Sequence, residues 1–205
     1  MVLCLVYTQY YKPKAMKKSI LRFYAKHKEI WDIMKSNEMT AKEIFKEKTC
    51  CFTGHRQISD DYMTVKNIVR DEVVSLIEKN SVRFFGVGGA VGFDMLCSLV
   101  IIDLKVIYPD IKLIMVLPCL EQGRFWNDED KKLCAEIKCK ADKIKYVSNE
   151  YTKDCMFRRN RHLVDGSRYC ICYLNKAYGG TFYTVNYAKE KGLIITNICD
   201  KIRND

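Results

Sequence analysis

The chain has 205 residues, of which 48% are hydrophobic and 29% are charged, and its formal net charge is +10. This length supports one substantial core, and the composition is that of a soluble globular protein rather than a disordered or fibrous one. No apolar run reaches the roughly 18 residues that a membrane-spanning helix needs. The apolar start, residues 1–11, lacks the basic segment and the small-residue cleavage site of a signal peptide, so we expect none.

The positive charge is concentrated in the first 48 residues. They contain 11 Lys and Arg against 5 Asp and Glu, and so carry +6 of the net charge. Apolar residues recur among the lysines at rough helical spacing, which predicts a basic helical extension over residues 1–48. Such a helix is either a solvated amphipathic surface or a contact for nucleic acid or a membrane surface. Met39 would make a natural start, so residues 1–38 are interpreted as either an upstream in-frame extension or a lineage-specific helical arm.

Strand-type and helix-type patterns alternate from residue 49 onward. In chain order the predicted elements are strand 49–54, helix 60–80, strand 82–87, helix 94–108, strand 111–118, helix 128–141, strand 143–147, helix 154–166, strand 169–174, helix 182–191 and strand 193–198. The third strand is continuously apolar, as is typical of the middle of a helix-covered parallel sheet. Six strands alternating with five helices predict a doubly wound α/β domain over residues 49–205. Ligands of such a sheet are expected at the carboxyl ends of its strands.

The eleven cysteines do not form a recognisable metal or disulfide pattern. No C-x-x-C pair occurs, and the chain has only three histidines. Zinc sites need paired cysteines or cysteine–histidine clusters, so we predict no metal site. Most of the cysteines lie in apolar runs, where a reduced thiol packs like a small hydrophobic group. This pattern favours a cytoplasmic protein with buried thiols.

A glycine-rich turn, GVGGAVGFD at residues 86–94, follows the second strand. It lacks the third glycine of a dinucleotide fingerprint, which falls on Val91, and the Gly-Lys-Ser/Thr of a Walker A loop. Its glycines nevertheless expose backbone N–H groups just before a helix, which is typical of an anion-binding site. Asp94 is interpreted either as the cap of that helix or as an acceptor for a ribose hydroxyl.

Two further segments at the same sheet edge have the chemistry of a phosphate site. Gly179 and Gly180 precede a helix in a second glycine-rich turn, and the predicted helix 154–166 carries several arginines, including Arg158 and Arg159. A guanidinium group can bind phosphate through two donors. Tight structural turns and a solvated helix face are the alternative interpretations. Together the segments favour a ligand with phosphate or pyrophosphate and a sugar.

Five stretches in this order resemble the YpsA-like branch of the SLOG superfamily, which is named after the Smf/DprA proteins and the Lonely Guy hydrolases. They are CCFTGHR at 50–56, GGAVGFD at 88–94, LIMVLPC at 113–119, CMFRRNRHLVDGS at 155–167 and YGGTFYTVNYA at 178–188. The resemblance spans residues 49–198 and implies a Rossmann-like fold that binds a nucleotide or a nucleotide-derived, ADP-ribose-like ligand. By motif match it places around the pocket Thr53, Gly54, Arg56, Gly88, Gly89, Gly92, Asp94, Pro118, Trp126, Arg159, Asn160, Gly179, Gly180 and Thr181.

Three residues with aromatic rings have open interpretations. Trp126 or Phe125 is either a stacking platform for a base or, for Trp126, a buried core residue. His55, in TGHR, is interpreted as a structural or ligand-contacting residue in preference to a catalytic one, because no nucleophile motif accompanies it.

The resemblance also implies an enzyme alternative, from which this sequence departs. Lonely Guy hydrolases pair an arginine with a glutamate; Arg159 matches the arginine, but no carboxylate follows Thr181 where the glutamate would stand. Cleavage of an N-glycoside needs an anionic side chain near the cationic sugar, so Glu121 or Asp128 would have to substitute. Sensing or binding is therefore favoured over phosphoribohydrolase activity, in which Arg159 would be catalytic.

The expected partner is a nucleotide-derived small molecule, with no resident cofactor and no membrane. A nucleic-acid-associated role, as in the DprA proteins, ranks third and would depend on the basic extension. Superfamily members are often dimers or larger, so a homo-oligomer is an option that the sequence leaves open.

Overall fold

The computed structural model of the protein describes residues 41–203. Most of the predicted basic extension, including Met39, lies outside these residues. The chain divides into two units, Met1–Glu43 and Ile44–Asp205, and every strand and helix named below belongs to the second. None of the helices in residues 41–203 has the length and apolarity needed to cross a membrane.

The second unit is a six-stranded parallel sheet with helices between its strands. Its elements are β1 Thr49–Gly54, α1 Tyr62–Asn80, β2 Phe84–Val87, α2 Phe93–Leu104, β3 Lys112–Leu117, α3 Asp128–Lys140, β4 Lys143–Tyr146, α4 Cys155–Asp165, β5 Tyr169–Tyr173, α5 Gly179–Glu190, β6 Ile194–Asn197 and α6 Ile198–Ile202. The strand order is β4-β3-β2-β1-β5-β6, and every neighbouring pair is parallel. The predicted α/β, Rossmann-like fold is therefore confirmed.

Helix α1 illustrates how local sequence sets these elements. Its N-cap, Asp61, accepts a hydrogen bond from the Thr64 backbone N–H at 2.8 Å, which satisfies one of the free donors of the first turn. Four residues at four-residue spacing form its buried stripe: Val65, Val69, Val73 and Ile77. The helix ends where Ser81 adopts the left-handed conformation at φ 55°.

The two faces of the sheet are covered by different helices because successive strand residues point to opposite faces. In β1, Phe52 belongs to the larger core, which also contains buried residues of α1, α2, α3 and α6. The adjacent Cys51 belongs to the smaller core, which contains Leu163 of α4 and Val185 of α5. Each face of the central strands is thereby buried, as their continuous apolar sequence predicts.

The strand order reverses beside β1, and this reversal creates a crevice. The chain proceeds from β1 to β4 on one side of the sheet, then crosses through α4 to place β5 on the other side of β1. The helices that follow β1 and β5 consequently lead away in opposite directions. In open α/β sheets, ligands bind at such a switch point, outside the carboxyl ends of the strands.

Two element boundaries differ by three or more residues from those predicted. Helix α2 ends at Leu104 rather than near Tyr108, and α5 begins at Gly179, three residues before the prediction. Glycine is disfavoured in helix interiors, but here Gly179 forms the bend at the start of the helix, with φ 87°. The Thr184 hydroxyl stabilises the first turn by donating a hydrogen bond to the Gly180 carbonyl at 2.7 Å. The short helix α6 was not predicted, because one turn is too brief to show a period.

The cysteines are buried as free thiols in the part of the chain that the structure describes. Nine of the ten cysteines there are buried, and the exception is Cys139 on α3. Burial raises the pKa of thiols such as Cys50 and Cys97 well above the ordinary value, so they stay protonated and pack as apolar groups. These thiols therefore contribute to the packing of the core and not to redox chemistry.

Candidate functional site

A cavity of about 280 Å³ lies at the crevice between β1 and β5. Its walls come from the end of β1, the glycine loop before α2, helix α4 and the first turn of α5. It is lined by Phe52, Thr53, Gly54, His55, Arg56, Ala90, Asp94, Met156, Arg159, Asn160, Gly180 and Thr181. Eight of these residues were predicted for the site, and His55 was predicted as a structural or ligand-contacting residue. Phe52, Ala90 and Met156 were missed, although each is a sequence neighbour of a predicted residue or lies within a quoted motif.

A buried ion pair forms the floor of this cavity. Arg159 Nη1 lies 3.3 Å from Asp94 Oδ2, and only 8% and 5% of the two residues are exposed. Burial raises the pKa of Asp94, whereas the neighbouring Arg159 charge lowers it. Burial likewise lowers the pKa of Arg159, against the effect of Asp94. Arg159 Nε is buried without a hydrogen-bond partner among residues 41–203, so the guanidinium keeps one donor free.

Asp94 connects the ion pair to the glycine loop and does not cap its own helix. Gly92 is the N-cap of α2, and Asp94 is the second residue of that helix. Its Oδ2 accepts a hydrogen bond from the Ala90 backbone N–H at 3.3 Å, within the loop. The capping interpretation is therefore wrong, and Asp94 holds the loop and Arg159 together.

Two glycines of the loop allow the close approach that this arrangement needs. A Cβ at Gly88 would overlap Nη1 of Arg159 and lie 2.8 Å from Oδ2 of Asp94. Gly92 has φ 80°, and a Cβ there would overlap the backbone carbonyl of Arg56. The glycine loop can therefore pack directly against the arginine and against the turn that carries Arg56.

Arg56 places a second guanidinium group at the same cavity. It is exposed, and its guanidinium forms no hydrogen bond or ion pair within residues 41–203. The pKa of Arg159 is lowered mainly by burial and further by the positive charge of Arg56. Two like charges that disfavour each other at one cavity would both be stabilised by an anion between them.

The N-termini of α2 and α5 add partial positive charge. Neither helix has a side-chain cap on its first backbone N–H groups. The Phe93 N–H at the start of α2 donates to the His55 carbonyl at 3.3 Å, and the next N–H groups of each first turn have no partner within the helix. The start of α5 is fixed from α4: Asn160 Nδ2 donates to the Thr184 hydroxyl at 2.7 Å, and that hydroxyl donates to the Gly180 carbonyl. Gly180 and Thr181, which line the cavity, are thereby positioned relative to Arg159.

His55 lines the cavity as a neutral imidazole. Burial lowers its pKa below the ordinary value, and the positive charge of Lys176 lowers it further, so it is uncharged at pH 7. Its Nε2 accepts a weak hydrogen bond from the Asn175 backbone N–H at 3.4 Å. This contact joins the turn after β1 to the loop after β5.

Tyr173, at the end of β5, anchors the turn that carries Arg56. Its side chain is fully buried, and its hydroxyl accepts hydrogen bonds from the backbone N–H groups of Ser59 at 3.1 Å and Asp60 at 3.3 Å. The same hydroxyl donates to Asp60 Oδ2 at 2.5 Å. One atom thus fixes a segment more than a hundred residues away in sequence, beside the cavity.

We expect Tyr173→Phe to lower the free energy of unfolding by about 1–3 kcal/mol, because two backbone donors and a carboxylate lose their partner. Urea unfolding would measure the change. Tyr169→Phe is the matched control: it alters the same strand in the same way, but the Tyr169 hydroxyl forms no hydrogen bond within residues 41–203. Equal stability of the two variants would contradict the anchoring role.

The other predicted residues lie outside the cavity lining. Pro118 is buried after β3, and Trp126 is half-buried, packing on the larger core beside Gly123. Gly89 contacts Leu117, and Gly179 makes the bend before α5. The suggested substitute acids are not at the cavity either. Glu121 lines a separate, open depression with Arg124, and Asp128 is exposed at the start of α3.

Comparison with known proteins agrees with the fold and the sequence resemblance. The sequence model of the YspA SLOG family (YpsA) matches residues 50–196, more than half of the chain. A UPF0398 protein of Enterococcus faecalis is 28% identical over 143 residues, which cover 65% of this chain and 79% of that protein. A UPF0398 protein of Bacillus thuringiensis is 25% identical over 133 residues, which cover 63% and 72%.

Two solved structures of DNA processing protein A (DprA) share the fold. DprA from Helicobacter pylori superposes with a TM-score of 0.54 and 15% identity, over 78% of this chain and 73% of that chain. DprA from Streptococcus pneumoniae gives a TM-score of 0.52 and 19% identity over 75% of this chain, which spans half the length of that protein. At such identities the likeness shows the fold alone. The match over residues 50–196 shows that this chain belongs to the YspA SLOG family.

Proposed function

We propose that the protein binds a nucleotide or nucleotide-derived ligand of the ADP-ribose type, with a phosphate held in the cavity at the β1–β5 crevice. The observation that carries this proposal is the pair of guanidinium groups at one small cavity, with Nε of the buried Arg159 unpaired among the residues described. A buried polar donor without a partner costs free energy that a ligand oxygen would recover. Phosphate is the group that best satisfies two guanidiniums and two helix N-termini together.

A sugar next to that phosphate fits the remaining lining. Thr53 and Thr181 are buried hydroxyl-bearing residues at the cavity, and Asp94 supplies a carboxylate beside Arg159. Hydroxyl and carboxylate groups are the usual partners of ribose hydroxyls. The proposed set of binding residues is therefore the part of the predicted set that lines this cavity, with His55 as an additional contact.

Arg56→Ala tests the proposal without disturbing the fold, because the Arg56 guanidinium forms no hydrogen bond or ion pair in the described part of the chain. We expect the affinity for ADP-ribose and AMP to fall by about 10- to 100-fold, since a charge-assisted hydrogen bond to phosphate is lost. Isothermal titration calorimetry at constant ionic strength would measure it. Arg124→Ala is the matched control, because it removes the same charge from the separate depression near Glu121.

Failure of the wild-type protein to bind ADP-ribose, AMP, NAD or ribose phosphates would refute the proposal. Equal affinity in the Arg56→Ala and Arg124→Ala variants would show that ligand binds elsewhere. The thermal unfolding midpoints of the two variants should match that of wild type, which separates loss of binding from loss of folding.

A hydrolase is the second candidate function, and the position of Asp94 at the cavity favours it. Its carboxylate is the acidic group at the cavity lining, and burial raises its pKa. A carboxyl group in such surroundings can stabilise a cationic sugar or transfer a proton. Mass spectrometry of the ligand after incubation distinguishes the two functions: intact ligand supports binding, and free base with ribose phosphate supports hydrolysis.

Nucleic-acid association is the third candidate, favoured by the fold shared with DprA. The structure of Helicobacter pylori DprA is described as having a unique single-stranded DNA binding mode. An oligonucleotide titration across salt concentrations tests the same role in this chain, because phosphate-dominated binding weakens steeply with salt.

A further inference from the structure

The size of the cavity limits how much of a ligand it encloses. Pockets that bury most of a drug-sized ligand have volumes of about 300–1,000 Å³, whereas this one has about 280 Å³. If the proposed phosphate and sugar occupy most of it, a base attached to that sugar lies toward the mouth. The following inference rests on the proposed function and concerns what recognises that outer part.

Tyr178 lies in the loop between β5 and α5, two residues before Gly180, which lines the cavity. Upstream, the Asn175 backbone N–H contacts His55, a lining residue, and downstream Gly180 and Thr181 line the cavity themselves. Tyr178 stands between these two attachment points, as the N-cap residue of α5, with an extended backbone at φ −155° and ψ 167°. Its backbone position is thus fixed from both sides, next to the residues proposed to hold phosphate.

Most of the Tyr178 side chain is exposed to solvent. It is 69% exposed, and within residues 41–203 its hydroxyl forms no hydrogen bond and its ring contacts no other aromatic ring. A large ring left in water forgoes the burial that usually stabilises aromatic residues. A planar ligand group would recover that burial.

Other contacts already engage the rings of Phe125 and Trp126, the residues predicted for base stacking, and of Phe157, which follows the lining residue Met156. The Phe157 ring packs edge-on against Tyr183 at a centroid distance of 4.8 Å. The guanidinium of Arg124 lies 5.4 Å from the centroid of Phe125, and Trp126 packs on the larger core. The stacking role predicted from the sequence for Phe125 or Trp126 is therefore better supported for a different residue.

We propose that Tyr178 is the platform on which the aromatic base of the ligand stacks, so that the protein selects nucleotides over phosphosugars that lack a base. A base stacked on an aromatic side chain strengthens binding by about 5- to 150-fold. Tyrosine is suited to this role because it offers a flat apolar face with only two side-chain torsions to order.

Calorimetric titration of the full chain with AMP and with ribose 5-phosphate tests this assignment. Wild type should bind AMP at least about 5-fold more tightly than ribose 5-phosphate. Tyr178→Ala should remove that preference while leaving the affinity for ribose 5-phosphate unchanged, and Tyr178→Phe should keep it. Tyr151→Ala, at an exposed tyrosine in the loop between β4 and α4, should behave as wild type.

The possible failures separate this inference from the proposed function. If wild type binds both ligands equally, or if Tyr178→Ala weakens both equally, Tyr178 is not a base platform although the phosphate site stands. If wild type binds neither ligand, both the platform and the proposed function are refuted.

Discussion

Arg159→Met should lower the free energy of unfolding by about 3–5 kcal/mol at neutral pH, because it leaves the Asp94 carboxylate buried without its counter-charge. Methionine replaces much of the arginine volume with apolar atoms, so the loss reports charge rather than a cavity. The same substitution removes the free guanidinium donor, and we expect no detectable AMP binding. Urea unfolding and calorimetry would measure the two effects.

The stability deficit of Arg159→Met should depend on pH with a defined sign. Burial already raises the pKa of Asp94, and Arg159 opposes that effect, so the substitution should raise the pKa further. A carboxyl group whose pKa is higher in the folded state favours folding only while it is protonated. The deficit should therefore be small below about pH 3.9, the ordinary value for Asp, and grow as the pH rises through the folded-state pKa.

The double variant Arg159→Met/Asp94→Asn separates folding from binding. Asparagine removes the buried charge and keeps an oxygen that can accept from the Ala90 backbone N–H. Most of the lost stability should return, and its pH dependence should disappear, whereas AMP binding should stay absent. Recovery of binding in the double variant would show that Arg159 does not contact the ligand. A deficit that persists unchanged would show that lost packing, not the unpaired carboxylate, destabilises the single variant.

The sequence predicts the sheet because strand and helix patterns are local. The apolar run at residues 111–118 and the four-residue spacing within residues 60–80 directly reflect which side chains of each element are buried. The general rule that parallel strands end at one edge then brings the two glycine turns and the arginine helix together. That rule groups Asp94, Arg159 and Thr181 from the sequence, and Arg56 joins them through the family resemblance.

The contacts that organise the site produce no such local pattern in the sequence. Arg159 and Asp94 are separated by 65 positions and Tyr173 and Asp60 by 113, and no periodicity links residues so far apart. The sequence likewise cannot show that Trp126 packs on the core while Tyr178 stays exposed, since both are aromatic residues in loops. Side-chain partners decide that difference, and they are set only when the strands and helices pack together.

Gly88→Ala should be about as damaging as loss of the arginine itself, through crowding instead of charge. The added Cβ would overlap Arg159 Nη1 and approach Asp94 Oδ2 to 2.8 Å, so the ion pair must separate to admit it. A flexible arginine on the surface would swing aside at little cost, but this one is buried and its counter-charge is fixed to the glycine loop. We expect a loss of at least about 3 kcal/mol in the free energy of unfolding and no AMP binding.

Gly166→Ala provides the matched control, because the same methyl group is added where there is room for it. Gly166 follows α4 at φ −89°, and the nearest atom to its added Cβ is the His162 carbonyl oxygen at 3.4 Å. An alanine is compatible with that backbone, so stability should change by less than about 1 kcal/mol and AMP affinity should stay at the wild-type value. If Gly88→Ala behaves like this control, Arg159 can leave Asp94 freely, and the ion pair does not hold the guanidinium in place. If Gly88→Ala alone loses stability and AMP binding, the absence of a side chain at this position is what allows the loop, the Asp94 carboxylate and the Arg159 guanidinium to be in contact.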